Sequence, residues 1–379
     1  MKRCLAALLA TLALAGCSTF DAINPFASKG PKMAELQPIQ ASVPVRVAWS
    51  QSVGKSGIYT LTPAIVGSAV YAASNSGTLA RLDGGQPAWR IDVGMKLSGG
   101  VGADDRIVVV GSPKGDVLAF SAADGTQLWT ARASSEVLSP PAVGQGLVVV
   151  RSGDNRLVAF DARDGSRKWI YQRPTPALSL RVAASPLITE RYVFAGFPGG
   201  KLVAVNVANG IALWEGTVAL PKGVTELDRV ADITSVPIIY GRTICSVAFQ
   251  GRVACFDLSN GNQLWARDMS SSAGLAVDTR YVYVSDDKGA VVALDFASGA
   301  SLWKQDKLSL RRLTAPVAWR NMVVVADAKG VVHFLNRDDG SFVARQETDG
   351  SAVVAPLQIV GSRLVVQTSG GGVYAIEAQ

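Results

Sequence analysis

The sequence predicts an all-β fold made of one four-stranded antiparallel unit repeated around a ring, and three observations lead there. The first is composition: 379 residues, 48% of them apolar, only 18% charged, with 38 glycines. Numerous short strands joined by tight turns suit that mixture, whereas a helical bundle would carry far more Glu, Lys and Arg on its outer faces. The second is a tryptophan at 49, 89, 129, 169, 214, 265 and 303, with gaps of 40, 40, 40, 45, 51 and 38 residues, the next slot holding Ala344. The third is a set of residues that keep register with it. Fourteen positions before the slot stands Gly115, Gly200, Gly251, Gly289 or Gly330, with Asn155 in the third repeat. Six positions later comes Ser121, Asp161, Asn206, Asp257, Asp295 or Asn336, and four beyond that Gly125, Gly165, Gly210, Gly261, Gly299 or Gly340. A period near 41 residues is the mark of a β-propeller blade.

Taken in order, the chain opens with Lys2 and Arg3 ahead of an apolar run to Gly16, too short to span a bilayer, so residues 1–16 are expected to be a secretory signal. The run ends in Leu14-Ala15-Gly16-Cys17, which resembles a bacterial lipobox and implies cleavage before Cys17 and its lipidation. Several acyl chains, each contributing about 0.8 kcal/mol per buried methylene, would anchor the chain stably. Ser18, where inner-membrane lipoproteins carry Asp, favours the outer membrane. Residues 17–43 are polar and small with Pro25, Pro31 and Pro38, and read as the lipidated Cys and a flexible tether. The propeller is expected over 44–379.

Each repeat reads as four strands. In the fourth, Pro186 to Ile188 opens the first, Arg191 to Ala195 forms the second, Lys201 to Val205 the third and Ile211 to Thr217 the fourth. Runs such as Leu157-Val158-Ala159-Phe160 are apolar on both faces, which demands cover on both sides; radial stacking of blades provides it. The tryptophan is then a wedge between neighbouring blades. The last repeat, from Pro356 to Ile376, has only three strands, and Val45 to Trp49 supplies the fourth, which hides two open edges at once. Seven internal blades and one composite blade make eight.

Much chemistry is absent. The chain has one histidine, His333, expected to be a packed, hydrogen-bonded side chain, so neither a multi-histidine metal site nor a choice of triads exists. The recurrent Asp, Asn and Ser residues are spread one per blade and suit turn capping. Cys245 and Cys255 flank a hairpin turn near Gln250 and face each other either as a disulfide or as two small buried thiols. A net charge of +7 comes from scattered Lys and Arg without interleaved aromatics, which argues against nucleic acid.

The informative departures are two long connections. From Trp169 to Pro186 the chain takes 17 residues and from Trp214 to Pro237 it takes 23, against about a dozen elsewhere. Both run from an outer strand to the next inner strand, hence lie on one rim. One holds Leu178, Leu180 and Arg181, the other Glu226, Leu227, Asp228, Arg229 and Asp232. Leucines beside Arg and Asp have the composition of a protein-docking patch; neutral loop growth, which surface loops tolerate well, is the alternative.

Lipobox, tether, eight repeats and the two loops Pro176 to Arg181 and Thr225 to Arg229 together resemble the outer membrane protein assembly factor BamB family over the whole mature chain. The resemblance implies a non-enzymatic scaffold of the β-barrel assembly (BAM) complex, without cofactor. It would be lipid-anchored on the periplasmic face of the outer membrane. It also implies that Leu178, Leu180, Arg181 and Asp232, with Glu226, Asp228 and Arg229 beside them, engage the POTRA domains of BamA. Other BAM lipoproteins would then be reached indirectly, and unfolded outer membrane proteins are a further expected partner. Thr234 stands where the family pattern has a second acidic residue. The blade pattern Ala-x-Asp-x-x-x-Gly-x-x-x-Trp alone looks equally like pyrroloquinoline-quinone (PQQ) dehydrogenases, so a quinoprotein-like enzyme is the alternative.

Overall fold

The computed structural model describes residues 32–174, 176–181 and 184–378. The expected signal segment, Cys17 and the first part of the tether lie outside the described residues. Among the described residues the strands form eight separate four-stranded sheets, all antiparallel. Blade 1 runs from Ala64–Val66 to Gln86–Asp92, blade 2 from Gly99–Ala103 to Gln127–Arg132, and blade 3 from Ala142–Gly144 to Arg167–Gln172. Blade 4 spans Leu187–Ile188 to Ala212–Thr217, blade 5 Ile238–Tyr240 to Gln263–Asp268, blade 6 Gly274–Val277 to Ser301–Gln305, and blade 7 Val317–Trp319 to Phe342–Glu347. Blade 8 joins Gln358–Val360, Arg363–Gln367 and Gly372–Ala378 to the N-terminal strand Val45–Ser52, as the repeat arithmetic requires.

The valine-rich second strands show why both faces had to be apolar. In Leu147–Arg151, Val148 and Val150 enter the core shared with blade 2, while Val149 enters the core shared with blade 4. Strand periodicity sends successive side chains to opposite faces, so each sheet contributes to two cores. The apolar side chains accordingly collect into eight clusters, one between each pair of neighbouring blades. The eighth packs Val365 and Val373 of blade 8 on Val70, Ala72 and Leu82 of blade 1 and closes the ring. First strands of neighbouring blades touch, Ala64–Val66 against both Gly99–Ala103 and Gln358–Val360, so these line the axis.

The tryptophans are the expected wedges. Each of the six from Trp89 to Trp303 donates its indole N–H to a backbone carbonyl in the next blade, at 2.8 to 3.1 Å. The accepting residue directly follows the recurrent polar one: Ala162 follows Asp161 and takes Trp129. That polar residue caps its own turn, as Asp161 does by accepting from the Arg163 N–H at 2.9 Å. Ala344 breaks the series for a topological reason. Blade 8 draws its third and fourth strands from opposite chain ends, so no turn exists there to receive an indole. The segment before the first strand fills the seam instead, with the Ser42 and Val43 N–H groups donating to the Val343 carbonyl at 2.9 and 3.3 Å.

Two other features go beyond the sequence reading. The latter part of the expected flexible tether is docked: the Ala34 N–H donates to Ser309 O at 2.9 Å, Arg311 and Arg345 donate to Ala34 O and Gln37 O, and Leu36 packs on the core between blades 6 and 7. Cys245 and Cys255 stand directly opposite each other in adjacent strands of blade 5 and are joined as a disulfide, one of the two alternatives the spacing allowed.

Candidate partner-binding rim

Connections from an outer strand to the next inner strand all emerge on one rim, together with the turns between second and third strands. The two long ones meet there. Asp232, in the connection from blade 4 to blade 5, is 2% exposed. Its carboxylate accepts the Leu180 N–H from the neighbouring connection at 2.6 Å and the Gly199 N–H at 3.2 Å. Its own carbonyl accepts the Phe249 N–H at 2.8 Å. Asp232 therefore works from inside, as the strut that ties one inserted connection to the other. Thr234 is buried too, and its hydroxyl donates to Ser272 O at 2.9 Å, anchoring the second connection to the next one along the rim.

The remaining expected residues are outside. Leu178 is 44% exposed, Leu180 is half-buried and Arg181 is exposed. Arg181 pairs with Glu136 of the connection between blades 2 and 3 at 3.2 Å. Burial works to raise Glu136, but the Ser135 hydroxyl, the largest influence on it, together with Arg181 keeps its carboxyl below the ordinary range. Glu226, Asp228 and Arg229 lie on a single helical turn that begins at Thr225. Asp228 accepts from the Thr225 N–H at 3.1 Å and the Thr225 hydroxyl at 2.7 Å, while the Thr225 Oγ1 accepts the Asp228 N–H at 3.2 Å. This reciprocal cap satisfies donors that a short turn would leave open, and the same bonds hold the Asp228 carboxyl low. Arg229 folds back on Glu226 at 3.3 Å. The turn thus spends its charges on itself and presents its apolar side chains, Val224 at 92% exposed and Leu227 at 71%. Structure brings Leu178, Leu180, Arg181 and Asp232 together; Glu226, Asp228 and Arg229 form a separate knob on the same connection as Asp232. Glu136 and the exposed Leu220 escaped the sequence reading because neither departs from ordinary loop composition.

His333 is fully buried in blade 7, with Nε2 2.9 Å from the Asp327 carboxylate, which also accepts from Arg311. Its Nδ1 meets no partner among the described residues, which suits a neutral ring that carries its proton on Nε2. Burial, outweighing Asp327, lowers the His333 pKa. Burial would raise Asp327, yet bonds from His333, the Val331 N–H and Arg311 bring it to about 2. The unfolded chain binds protons more readily than the folded one at both groups, so acid destabilises. The His333 contribution is complete above pH of about 6.5 and fades as pH falls below it; the Asp327 contribution fades from about pH 4 toward 2. Because the chain has one histidine, melting temperature should drop between pH 7 and 5 in the native chain and stay flatter in His333→Gln. Equal slopes would exclude a depressed histidine. Among the described residues no three His, Cys, Asp or Glu side chains are grouped to hold a metal ion.

A family model described as outer membrane protein assembly factor BamB matches residues 75–305 and 302–379. The chain is 42% identical over 374 residues to the outer membrane protein assembly factor BamB of Bordetella pertussis, covering 98% of this chain and 96% of that one. The crystal structure of BamB from Moraxella catarrhalis superimposes with a TM-score of 0.83 at 28% identity, over 88% of this chain and 99% of that one. The quinohemoprotein alcohol dehydrogenase of Comamonas testosteroni superimposes with a TM-score of 0.71 at 15% identity, over 88% of this chain and 76% of that one, and shares the fold alone.

Proposed function

The chain belongs to the outer membrane protein assembly factor BamB family, and from that premise we propose that it is a non-enzymatic scaffold in outer membrane protein assembly. In this reading its rim docks on the POTRA domains of BamA and holds them in position to receive barrel precursors. The observation that carries it is the Leu180–Asp232 bond. It joins two inserted connections into one surface where apolar side chains stand among charges, the composition of an interface with a few dominant anchors. The quinoprotein alternative has the shared fold in its favour and nothing further, and fold alone does not carry function. Membrane attachment rests on the lipobox and Cys17.

Leu178→Ala, Leu180→Ala and Arg181→Glu combined should weaken binding to isolated POTRA domains tenfold or more, since the best anchors cost about 2 kcal/mol or more on truncation. Thermal stability should barely change, because these side chains lie outside the blade cores. Cys17→Ser, tested in the same cells, should release the folded chain from the outer membrane. Wild-type affinity of a folded loop variant would rule the rim out as the docking surface.

A further inference from the structure

Four residues before its turn glycine, each blade has a slot at or next to the end of its second strand, on the rim just described. That slot holds Ala73, Gly111, Gly196, Val247, Ser285, Ala326 or Gln367, and in blade 3 it holds Arg151. Blade 3 departs from the repeat a second time, with Asn155 at the turn where its neighbours have Gly, at φ 62. The two departures meet: Arg151 Nη2 donates to Asn155 Oδ1 at 3.0 Å. Asparagine tolerates the left-handed conformation and adds an acceptor that glycine lacks, so the pair forms one device confined to the blade beside the first inserted connection.

Arg151 is 2% exposed, with its guanidinium 5.0 Å over the Phe197 ring of blade 4. Among the described residues its Nε and Nη1 have no hydrogen-bond partner, although they carry most of the side chain's donors. Asp232 is the carboxylate that acts on it, and it and the other carboxylates of this stretch of the rim are committed elsewhere. Asp232 holds the Leu180 and Gly199 N–H groups, Glu136 holds Arg181 and Ser135, and Asp154 holds Arg156, Ser134 and Ser152. Burial lowers the Arg151 pKa to about 10, with Asp232 opposing it, so the group stays cationic at neutral pH. A buried cation with open donors is costly unless something pairs with it.

We propose that Arg151 is the receptor for a carboxylate carried by the protein that docks on this rim. The inference rests on the docking reading above and deepens it, naming an acidic side chain as what the partner must present. An Arg–carboxylate bond in a desolvated site is a strong, charge-assisted contact, and arginine is among the residues that dominate interfaces. The same Asp232 carboxylate that acts on Arg151 holds the Leu180 N–H, and the Arg181–Glu136 pair fixes the next residue of segment 176–181 on this rim.

The test measures affinity of the full chain for POTRA domains, with melting temperature, for wild type, Arg151→Met, Arg151→Lys and the triple loop variant. Arg151→Met should bind at least tenfold more weakly while melting at or above wild type, because it removes a buried charge with open donors; Arg151→Lys should recover part of the affinity. An Asp→Asn and Glu→Gln scan of the POTRA domains should contain one change that weakens wild type but leaves Arg151→Met unaffected. Wild-type affinity in Arg151→Met, which would mean that the open donors serve an internal water, overturns the proposal. So does joint loss of binding and melting temperature with no coupled acidic residue, which marks a structural arginine. A weakened loop variant beside a normal Arg151→Met leaves the docking reading standing and removes only Arg151, whereas a loop variant with wild-type affinity removes both.

Discussion

Deleting residues 45–52 should abolish cooperative folding of the ring, the largest effect expected of any local change in this chain. The strand pairs with the C-terminal strand along its whole length, from Val45 opposite Ala378 to Ser52 opposite Gly372. Its loss strips backbone partners from Gly372–Ala378, turns that strand into an open edge, and removes Trp49, which lies against Gly85 of blade 1. The Gln51 side chain, which donates to Gly85 O at 2.9 Å, and the Arg46–Glu377 ion pair at 2.6 Å go with it. A tryptophan truncated in a packed site costs about 3–5 kcal/mol, and whole domains are stable by only about 5–15 kcal/mol. The core between blades 8 and 1 would be uncovered as well. Size-exclusion chromatography should show aggregation, and limited proteolysis should cut blades 8 and 1 first. A monodisperse deletion variant with an unchanged melt would mean that the ring does not depend on this closure.

Gly261→Val should be among the most damaging single substitutions in the blade repeat, at roughly 3 kcal/mol or more. Gly261 adopts φ +73, and a Cβ there would sit 2.5 Å from the Trp214 ring of the preceding blade. A side chain in the left-handed region costs about 1–2 kcal/mol by itself. Here it must also push the indole off its seat and break the Trp214 bond to Leu258 O at 3.1 Å. Gly241→Ala separates the two contributions: Gly241 has φ +57 with nothing within 4 Å of its would-be Cβ, so it should lose only about 1 kcal/mol. Chemical denaturation of both variants decides it. Losses of equal size would show that the tryptophan contact adds nothing to the backbone conformation.

The sequence by itself determined the repeat, the number of blades, the strand order within a blade and the closure by Val45–Ser52. All of these follow from local rules: two-residue alternation, turn residues at fixed offsets, and a last unit one strand short. They also placed Cys245 opposite Cys255, since the register of a hairpin is set by its turn. Only the tertiary structure decided what happens between units. Spacing shows that a glycine recurs in step with the tryptophan but not that Gly261 serves Trp214, because that contact joins different blades. For the same reason Asp232 reads in the sequence as an exposed member of the docking patch, while the fold buries it and makes it the link to Leu180. Residues 34–43 look like a tether because nothing nearby pairs with them; Arg311, Val343 and Arg345, some three hundred positions away, hold them down. Arg151 and Asn155 are visible in the sequence as two breaks in the repeat. That they meet, and that Arg151 keeps donors unused, depends on what the neighbouring blade and the inserted connections bring to that rim, because the free energy of a buried charge is set by its surroundings and not by its own segment.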